Sequence, residues 1–382
     1  MSRTWPALLS LAILAFPLVV RGQAGAEPAV TTPPSAAEVR AAMGIPSAGD
    51  VRGQQDTIGF ASTPEQMART WVLSATPPEP ERLGPAPPGL VVGAVCPHDD
   101  YLYAGRAYRQ VLPLVTARTV VLVGVFHTYR AFGAHDLVVF DGYRAWRAPD
   151  GEVAVSSLRE EVLSRLPAAD CTRDNAAHDR EHSLEPLVYF LRHARADLEI
   201  VPIIVPASPI TRLEELALHT GQALATVMRE RGLRLGEDVA VVISSDAVHY
   251  GADFAFTPHG EGGVDAYLKA CARDRELLTG PLAGALSLAK AREFSAACVA
   301  PEDPNVYRLT WCGRFSIPFG MLLLAETARA LGLTPPVGHA ISYSTSVGQP
   351  ELALRDVGLG ETAPANLYHF VGYPAAAFTL AR

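Results

Sequence analysis

Lysine is almost missing from this sequence of 382 residues: Lys269 and Lys290 are the only two, and arginine carries the rest of the positive charge. Lysine and arginine together number 32 against 40 aspartates and glutamates, which gives a formal net charge of −8 at pH 7. Binding to nucleic acid draws on an excess of positive charge that neutralises phosphates. The sequence therefore predicts no nucleic-acid partner.

Charged residues are also sparse, at 19% of the chain, while hydrophobic residues make up 49%. This composition excludes an intrinsically disordered protein. The length suffices for one large domain or two modest ones with buried cores. A Gly-rich nucleotide-binding fingerprint is missing as well, so a dinucleotide site is not indicated.

Cysteine is scarce and odd in number, and the five positions are Cys96, Cys171, Cys271, Cys298 and Cys312. Five scattered cysteines are too few for a disulfide framework in a chain of this length. At least one is therefore a free thiol or is bound to something. One pair among Cys171, Cys271 and Cys298 could form a disulfide in an oxidising compartment, and the spacing does not say which.

The apolar stretch at residues 5–20 is shorter than the roughly 18–20 residues that span a bilayer. It follows Arg3, it ends at Arg21, and Ala24-Gly25-Ala26 then supplies the small-x-small pattern that signal peptidase reads. The pattern predicts cleavage near Ala26, export to the periplasm or medium, and no stable membrane span.

The rest of the chain divides into two parts. Residues 27–50 begin with a proline-broken stretch that predicts a flexible leader after the signal peptide at 1–26.

From residue 51 to residue 382, apolar runs of strand length alternate with helical stretches. Runs that are rich in Val and Ile without strict alternation are typical of strands buried on both faces. We expect strands at residues 90–96, 119–125, 200–205 and 239–243, and helices at 64–73, 105–114, 156–166, 184–194, 212–231, 266–278 and 317–331. Alternating strands and helices predict an α/β fold, a three-layer α/β/α sandwich with a largely parallel central sheet.

Imidazoles and carboxylates follow three of the predicted strands. They are His98, Asp99 and Asp100 after the first, His127 after the second, and Asp246 and His249 after the last. Ligands of open α/β sheets bind at the carboxyl ends of the strands. A single histidine at a strand end is usually structural, but three strands with such ends predict a metal site or an acid–base site.

Two further segments bring reactive side chains to helix starts. His182 and Glu185 are three residues apart where a helix begins, with Ser183 as the expected N-cap, and so they share a face. A carboxylate at Glu185 is also favoured there by the helix dipole alone. Cys312 stands just before the last long helix, where a thiol tends to have a lowered pKa, although it could equally be a small buried hydrophobe.

The sequence resembles the Memo family, which also occurs as the B component of AmmeMemoRadiSam systems. The resemblance covers about residues 51 to 382. Its segments, in chain order, are Val51-Arg52 with Gly59-Phe60, Cys96-Pro97-His98 with Tyr101 and Tyr103-Ala104-Gly105, Val123-Gly124-Val125-Phe126-His127, Glu181-His182-Ser183-Leu184-Glu185, Ser244-Ser245-Asp246 with His249-Tyr250, Cys312-Gly313, and Tyr343-Ser344-Thr345-Ser346 with Val371-Gly372-Tyr373. Each segment is weakly specific, but seven in the same order are a strong signal.

The resemblance implies a fold similar to that of class III extradiol dioxygenases, and it implies one transition-metal ion held by His98, His127 and Cys312. Asp246, His249, His182 and Glu185 would line the same pocket. Two imidazoles and a thiolate suit iron, copper or zinc, and iron(II) is favoured. The resemblance also implies the other AmmeMemoRadiSam components as partners, including the radical-SAM protein, and an exported chain would be separated from them.

The sequence departs from the family pattern beside the presumed ligands. Asp99 and Asp100 replace a small Ala-Gly pair after the first histidine, and Thr128 replaces the second histidine of a His-His pair. The two carboxylates could raise the affinity for a cation or hold a ring nitrogen of His98. The family has Cys312 where the dioxygenases have a carboxylate, which argues against simple dioxygenase chemistry.

Three functions are compatible with these residues. The first is a metal-dependent oxidoreductase in which His249 or His182 transfers protons. The second is a protein that binds iron, copper or a small-molecule ligand without turnover. The third is a cysteine hydrolase with Cys312, His249 and Asp246 as nucleophile, base and orienting residue. The third is the weakest because it leaves His98 and His127 without a role.

Overall fold

The computed structural model describes residues 32–380. The predicted signal peptide and the first residues of the predicted leader lie outside the described residues. Within the described part, the α-helices are α1 Ala36–Ala42, α2 Pro64–Ser74, α3 Tyr101–Val111, α4 Leu158–Leu163, α5 Asn175–Asp179, α6 Glu185–Ala194, α7 Ile210–Arg231, α8 Val264–Thr279, α9 Leu288–Cys298 and α10 Ser316–Ala330. Short 3-10 helices occupy Leu112–Leu114, Tyr129–Phe132, Ala252–Phe254, Cys312–Arg314 and Arg355–Val357.

The strands build one large sheet and a small hairpin. They are β1 Val51–Arg52, β2 Glu81–Arg82, β3 Leu90–Cys96, β4 Thr119–Val125, β5 Val138–Phe140, β6 Ala145–Trp146, β7 Val153–Val155, β8 Cys171–Arg173, β9 Glu199–Val205, β10 Val239–Ser244, β11 His249–Gly251, β12 Gly284–Ala285, β13 Val299–Ala300, β14 Asp303–Tyr307, β15 Val337–Thr345 and β16 His369–Leu380. The strand order of the large sheet is β1-β6-β7-β9-β4-β10-β3-β16-β15-β12.

The centre of the sheet is parallel, as the sequence predicts. Strands β7, β9, β4, β10 and β3 pair in parallel, and the four predicted strands occupy adjacent places. Their residues are almost entirely buried because helices cover both faces. The α/β/α sandwich with a largely parallel central sheet is therefore confirmed.

One side of the sheet is antiparallel, which the strand pattern did not predict. Strand β16 pairs antiparallel with β3, and β15 pairs antiparallel with β16. The run at β16 is rich in alanine and contains Pro374 and Gly372, so it lacks the Val and Ile signal of the parallel strands. The segment therefore forms a strand because it pairs with β3 and β15, and its own residues have little strand propensity.

Helix α10 packs directly on the sheet and so positions the segment before it, which carries Cys312. A β-carbon added to Gly320 would lie 2.5 Å from the Ile243 side chain of β10, so only glycine allows this close approach. Helix α10 also packs against the long helix α7 on the same layer. This contact fixes the chain just before α10, where Cys312 lies, over the end of β10.

The second half of the predicted leader contains regular structure. Residues Ala36–Ala42 form helix α1, which begins with a capping box between Ser35 and Glu38. After the helix, Ser47 Oγ donates to Asp179 Oδ1 at 2.7 Å and so holds this segment against α5. The Ser-x-x-Glu signal was present in the sequence and outweighs the preceding prolines.

No helix among residues 32–380 is long and apolar enough to cross a membrane. All five cysteines are free thiols, so the disulfide considered for Cys171, Cys271 and Cys298 does not form in this structure. Cys271 and Cys298 lie buried on helices α8 and α9, whereas Cys171 is half-buried on the edge strand β8.

Candidate metal centre

A cavity of about 850 Å³ opens at the carboxyl ends of the central strands. Six of the seven side chains that the resemblance assigns to the metal or its pocket line it: His98, His127, His182, Asp246, His249 and Cys312. The seventh, Glu185, is buried behind the cavity wall. The parallel topology thus brings together residues that are more than 200 positions apart in the chain.

His98 follows β3, and its ring is held in one tautomer. Its Nδ1 lies 2.7 Å from Ser244 Oγ. Since that hydroxyl donates its hydrogen to the Ser183 carbonyl at 2.6 Å, it must accept from Nδ1–H. The Nε2 atom therefore faces the cavity, 3.4 Å from Asp246 Oδ2.

His127 follows β4 and is oriented by Glu181. Its Nδ1 donates to Glu181 Oε1 at 2.9 Å, and its backbone N–H donates to Glu181 Oε2 at 2.7 Å. Burial would raise the pKa of Glu181, but the charge of His127 and several hydrogen bonds lower it below its usual range. The His127 Nε2 atom therefore faces Cys312 Sγ, at 3.4 Å.

Cys312 begins the short 3-10 helix before α10, and Gly313 lets it approach the end of β10. The Gly313 N–H donates to Ser245 Oγ at 3.0 Å, and a β-carbon on Gly313 would lie 2.3 Å from that oxygen. Burial alone would raise the pKa of the Cys312 thiol. The charge of His249 and hydrogen bonds from His127, His249 and His98 outweigh burial and hold the pKa well below its usual range. These contacts favour the thiolate form of Cys312.

His249 begins β11 on the other side of the thiolate. Its Nε2 lies 3.6 Å from Cys312 Sγ, and its Nδ1 lies 3.2 Å from both the Ala247 and the Thr310 carbonyl oxygens. Burial lowers the pKa of His249, but the neighbouring Cys312 charge raises it to about 9. Asp246 contacts His98 rather than His249, so the Cys-His-Asp arrangement of a hydrolase is not assembled in its usual order.

The donor atoms that meet at the cavity floor fit a bound cation. Three imidazoles turn their Nδ1 atoms toward the protein and their Nε2 atoms toward one thiolate and one carboxylate. Where a ring Nε2 atom lies this close to a thiolate or a carboxylate, the two atoms must share a proton or a metal ion. The separation of 3.4 Å between His127 Nε2 and Cys312 Sγ is close to the roughly 3.6 Å between nitrogen and sulfur ligands of a tetrahedral ion.

Two overlapping sets of ligand atoms are close enough to hold one ion. One consists of His98, His127 and His182, and the other of His98, Asp246 and Cys312. His182 stacks on His127 with ring centroids 4.8 Å apart, and burial lowers the pKa of His182 to about 3, which keeps its ring neutral. The predicted ligands are divided between the two sets: His98 belongs to both, His127 to the first and Cys312 to the second, and His127 Nε2 lies 3.4 Å from Cys312 Sγ.

Glu185 is not part of the cavity, in contrast to the sequence-based expectation. Its Oε1 lies 2.6 Å from Arg52 Nη1, and both side chains are fully buried. Its two oxygens also accept the backbone N–H groups of Gln55 and Asp56 at 2.5 Å and 3.1 Å. The residue therefore anchors the segment after β1 against α6. Ser183 is also not the N-cap of this helix, since its hydroxyl donates to the Val125 carbonyl.

The two extra carboxylates have different surroundings. Asp100 accepts from the backbone N–H and hydroxyl of Thr362 at 2.6 Å and 3.0 Å, and so holds the loop before β16. Asp99 lines the cavity and accepts from Tyr373 OH at 2.7 Å. Neither bonds to a ring nitrogen of His98, whose Nδ1 partner is Ser244.

Sequence reasoning missed the residues that orient the ligands. Glu181 stands next to His182 within the matched segment, and Ser244 is the last residue of β10, so both were visible in the sequence. Arg52 was also visible, but its pairing with Glu185 joins residues 133 positions apart. Only the folded chain shows that contact.

Comparison with known proteins identifies the family of this chain. A MEMO1 family protein from Archaeoglobus fulgidus is 35% identical over 167 residues, which cover 44% of this chain and 58% of the relative. Others come from Methanocaldococcus jannaschii, at 33% over 171 residues (42% and 54%), and Thermococcus kodakarensis, at 30% over 177 residues (44% and 56%). The chain thus spans a little over half the length of these curated relatives. The family model for Memo-like proteins matches residues 75–352, which is more than half of the chain. This protein therefore belongs to the Memo-like family.

Proposed function

We propose that this Memo-like protein is a metal-dependent oxidoreductase that holds one ion through His98, His127 and Cys312. The observation that supports the proposal is the convergence of ring Nε2 atoms on Cys312 Sγ and Asp246, with every Nδ1 oriented by the protein. Imidazole and thiolate donors suit iron, copper or zinc. The carboxylate of Asp246 adds a hard oxygen donor beside His98, and for that reason we favour iron(II).

The ion would supply Lewis acidity and a coordination position for a small ligand. The chain supplies proton transfer and positioning. His249 has a pKa of about 9 beside Cys312, so it carries a proton that it can donate into the cavity at neutral pH. His182 is neutral and lines the same cavity, so it is suited to accept one. Ser244 and Glu181 keep the ligand rings in place.

The direct test is metal analysis of the untagged protein after anaerobic purification, followed by oxygen-uptake measurements on the iron(II)-loaded protein with catechols and aromatic amino acids. Substrate-dependent oxygen uptake supports an oxidoreductase. One bound ion without uptake favours the non-catalytic alternative, a protein that binds iron, copper or a ligand. A protein that takes up no metal contradicts both.

Cys312 is also a candidate nucleophile, because a thiolate beside His249 could attack a substrate. We expect iodoacetamide to alkylate Cys312 rapidly in the metal-free protein and at least about tenfold more slowly after metal loading, because a coordinated thiolate is shielded. Peptide mass spectrometry at Cys312, with the half-buried Cys171 as internal control, measures both rates. Equal rates with and without metal would favour the cysteine hydrolase instead.

We also propose export, on the strength of the charged, apolar and small-residue pattern before Glu27. N-terminal sequencing of the protein from its native host should find a chain that begins near Glu27, outside the cytoplasm. Recovery of a chain that begins at Met1 in the cytoplasm would contradict this proposal, and it would restore the radical-SAM component of the family's systems as a candidate partner.

A further inference from the structure

Arg314 lies on the wall of the same cavity as the metal ligands, two residues after Cys312. Two residues of chain place the α-carbons of Arg314 and Cys312 no more than about 7 Å apart. Apart from the histidines and Cys312, the other ionisable side chains that line the cavity include four carboxyl groups: Asp56, Asp99, Asp100 and Asp246. Arg314 is therefore the one guanidinium among the described lining residues.

The Arg314 guanidinium is held in position without a carboxylate partner. Its carbon Cζ lies 3.6 Å from the ring centroid of Tyr307, and its Nη1 donates to the Trp311 carbonyl at 2.9 Å. Among residues 32–380 it forms no ion pair, and its buried Nε has no hydrogen-bond partner. A fixed, half-buried guanidinium that lines the cavity without an ion-pair partner is suited to bind a planar anion.

The Tyr307 ring, on which the Arg314 guanidinium stacks, is itself held by hydrogen bonds. Tyr129 OH donates to Asn305 Oδ1 at 2.9 Å, so the contact of 3.2 Å between the two phenols uses the Tyr307 hydrogen. The Tyr307 oxygen is then left as an acceptor beside Arg314 and Arg130, which lies 3.4 Å away. The tyrosine thus orients the guanidinium and does not compete with it for an anion.

The rest of the lining limits the size and charge of a ligand. Phe60, Phe254, Ile58 and Val371 supply apolar wall. A single guanidinium neutralises one negative charge, and the neighbouring carboxyl groups, above all Asp246, disfavour a ligand with several. A compact apolar body with one carboxylate meets both conditions.

We propose that Arg314 is the carboxylate-binding residue of this site and that the substrate class is small monocarboxylic acids with an apolar body. The carboxylate pairs with Arg314, and the opposite end of the molecule lies toward His98, His127 and Cys312. The inference rests on the proposed function in one respect: the end of the molecule opposite the carboxylate is taken as the end that reacts. Recognition of the carboxylate itself does not require the metal.

The test compares 4-hydroxybenzoate with its neutral analogue 4-hydroxybenzamide by titration calorimetry on the full chain, with metal content measured in parallel. A hydrogen-bonded charge pair predicts a preference of roughly tenfold or more for the acid. Arg314→Gln should remove this preference and leave the affinity for the amide and the metal content unchanged. Arg314→Lys should retain part of the preference for the acid, since a lysine keeps the positive charge but loses the pair of guanidinium N–H groups that can bind both carboxylate oxygens.

The matched control is Arg308→Gln, which changes an exposed arginine six residues away that does not line the cavity. It should behave like the parent protein. Equal affinity for acid and amide in the parent, no binding of either, or an undiminished preference in Arg314→Gln would each overturn the inference. A protein that prefers the acid through Arg314 but holds no metal would retain the inference and refute the proposed function.

Discussion

Replacing Cys312 with serine should remove most of the metal from the purified protein, as should His98→Ala and His127→Ala. Each change deletes a donor atom at the point where the three side chains meet. Loss of a residue that merely orients a metal ligand costs about 10–100-fold in affinity, so loss of a ligand should cost more than about 100-fold. Anaerobic metal titration with a competing chelator measures this difference directly.

The size of the Cys312→Ser effect should depend on the metal. A thiolate is the preferred donor of copper(I), so the loss should be largest for that ion. Iron(II) should be less affected because imidazole and the nearby carboxylate of Asp246 still serve it. Affinity for every ion should fall as the pH drops, since protons then compete for the thiolate and for the ring nitrogens.

His249→Ala is the informative control for this series. His249 lies beside Cys312 but is absent from both sets of atoms close enough to share an ion. We expect this variant to keep most of its metal and to lose turnover or ligand-dependent spectral change. Metal loss as complete as that of His98→Ala would make His249 a ligand. Unchanged stoichiometry in all three ligand variants would place the site elsewhere.

The central strands could be predicted because each is buried on both faces and needs continuous Val and Ile to fill its place. Strand β3 and strand β4 occupy the predicted residues, and β9 and β10 differ from prediction by one residue. Strand β16 could not be predicted this way. Its alanines make it strand-like only where β3 and β15 flank it, and such tertiary effects leave no periodic signal.

The site could be predicted as far as strand topology determines it. Parallel strands end at the same edge, so His98, His127 and Asp246 had to be neighbours once the sheet was recognised. The roles of individual side chains could not be read from position alone. Glu185 shares a matched segment with His182, yet the start of α6 turns its carboxylate toward Arg52 and away from the cavity.

The role of Glu185 could not be assigned from the sequence because it depends on an ion pair with the distant Arg52. Arg52 donates to the carbonyl oxygens of His178 and Glu181 as well as to Glu185, so one guanidinium ties β1 to the turn that carries His182. Burial raises the pKa of Glu185 to about 7, against the charge of Arg52 and the hydrogen bonds from Gln55 and Asp56, which lower it. The pair is thus costly to bury and more costly to break.

Glu185→Ala should therefore lower the free energy of unfolding by about 3–5 kcal/mol, because it leaves the Arg52 charge buried without its partner. Removing both charges in Arg52→Met/Glu185→Leu should cost much less than the sum of the single changes, since apolar side chains of similar size carry no desolvation penalty. Denaturant unfolding monitored by circular dichroism measures these differences.

The matched control is Glu199→Gln, whose partner Arg118 is 63% exposed. Breaking that exposed pair should change stability by less than about 1 kcal/mol. Metal content per folded molecule should stay near the parent value in Glu185→Ala, because the carboxylate lies outside the cavity. If Glu185→Ala unfolds at the same denaturant concentration as the parent but loses metal or turnover, Glu185 acts in the chemistry and the anchoring role is wrong. The structure favours the opposite result, since each contact of Glu185 joins β1 and the segment after it to the start of α6.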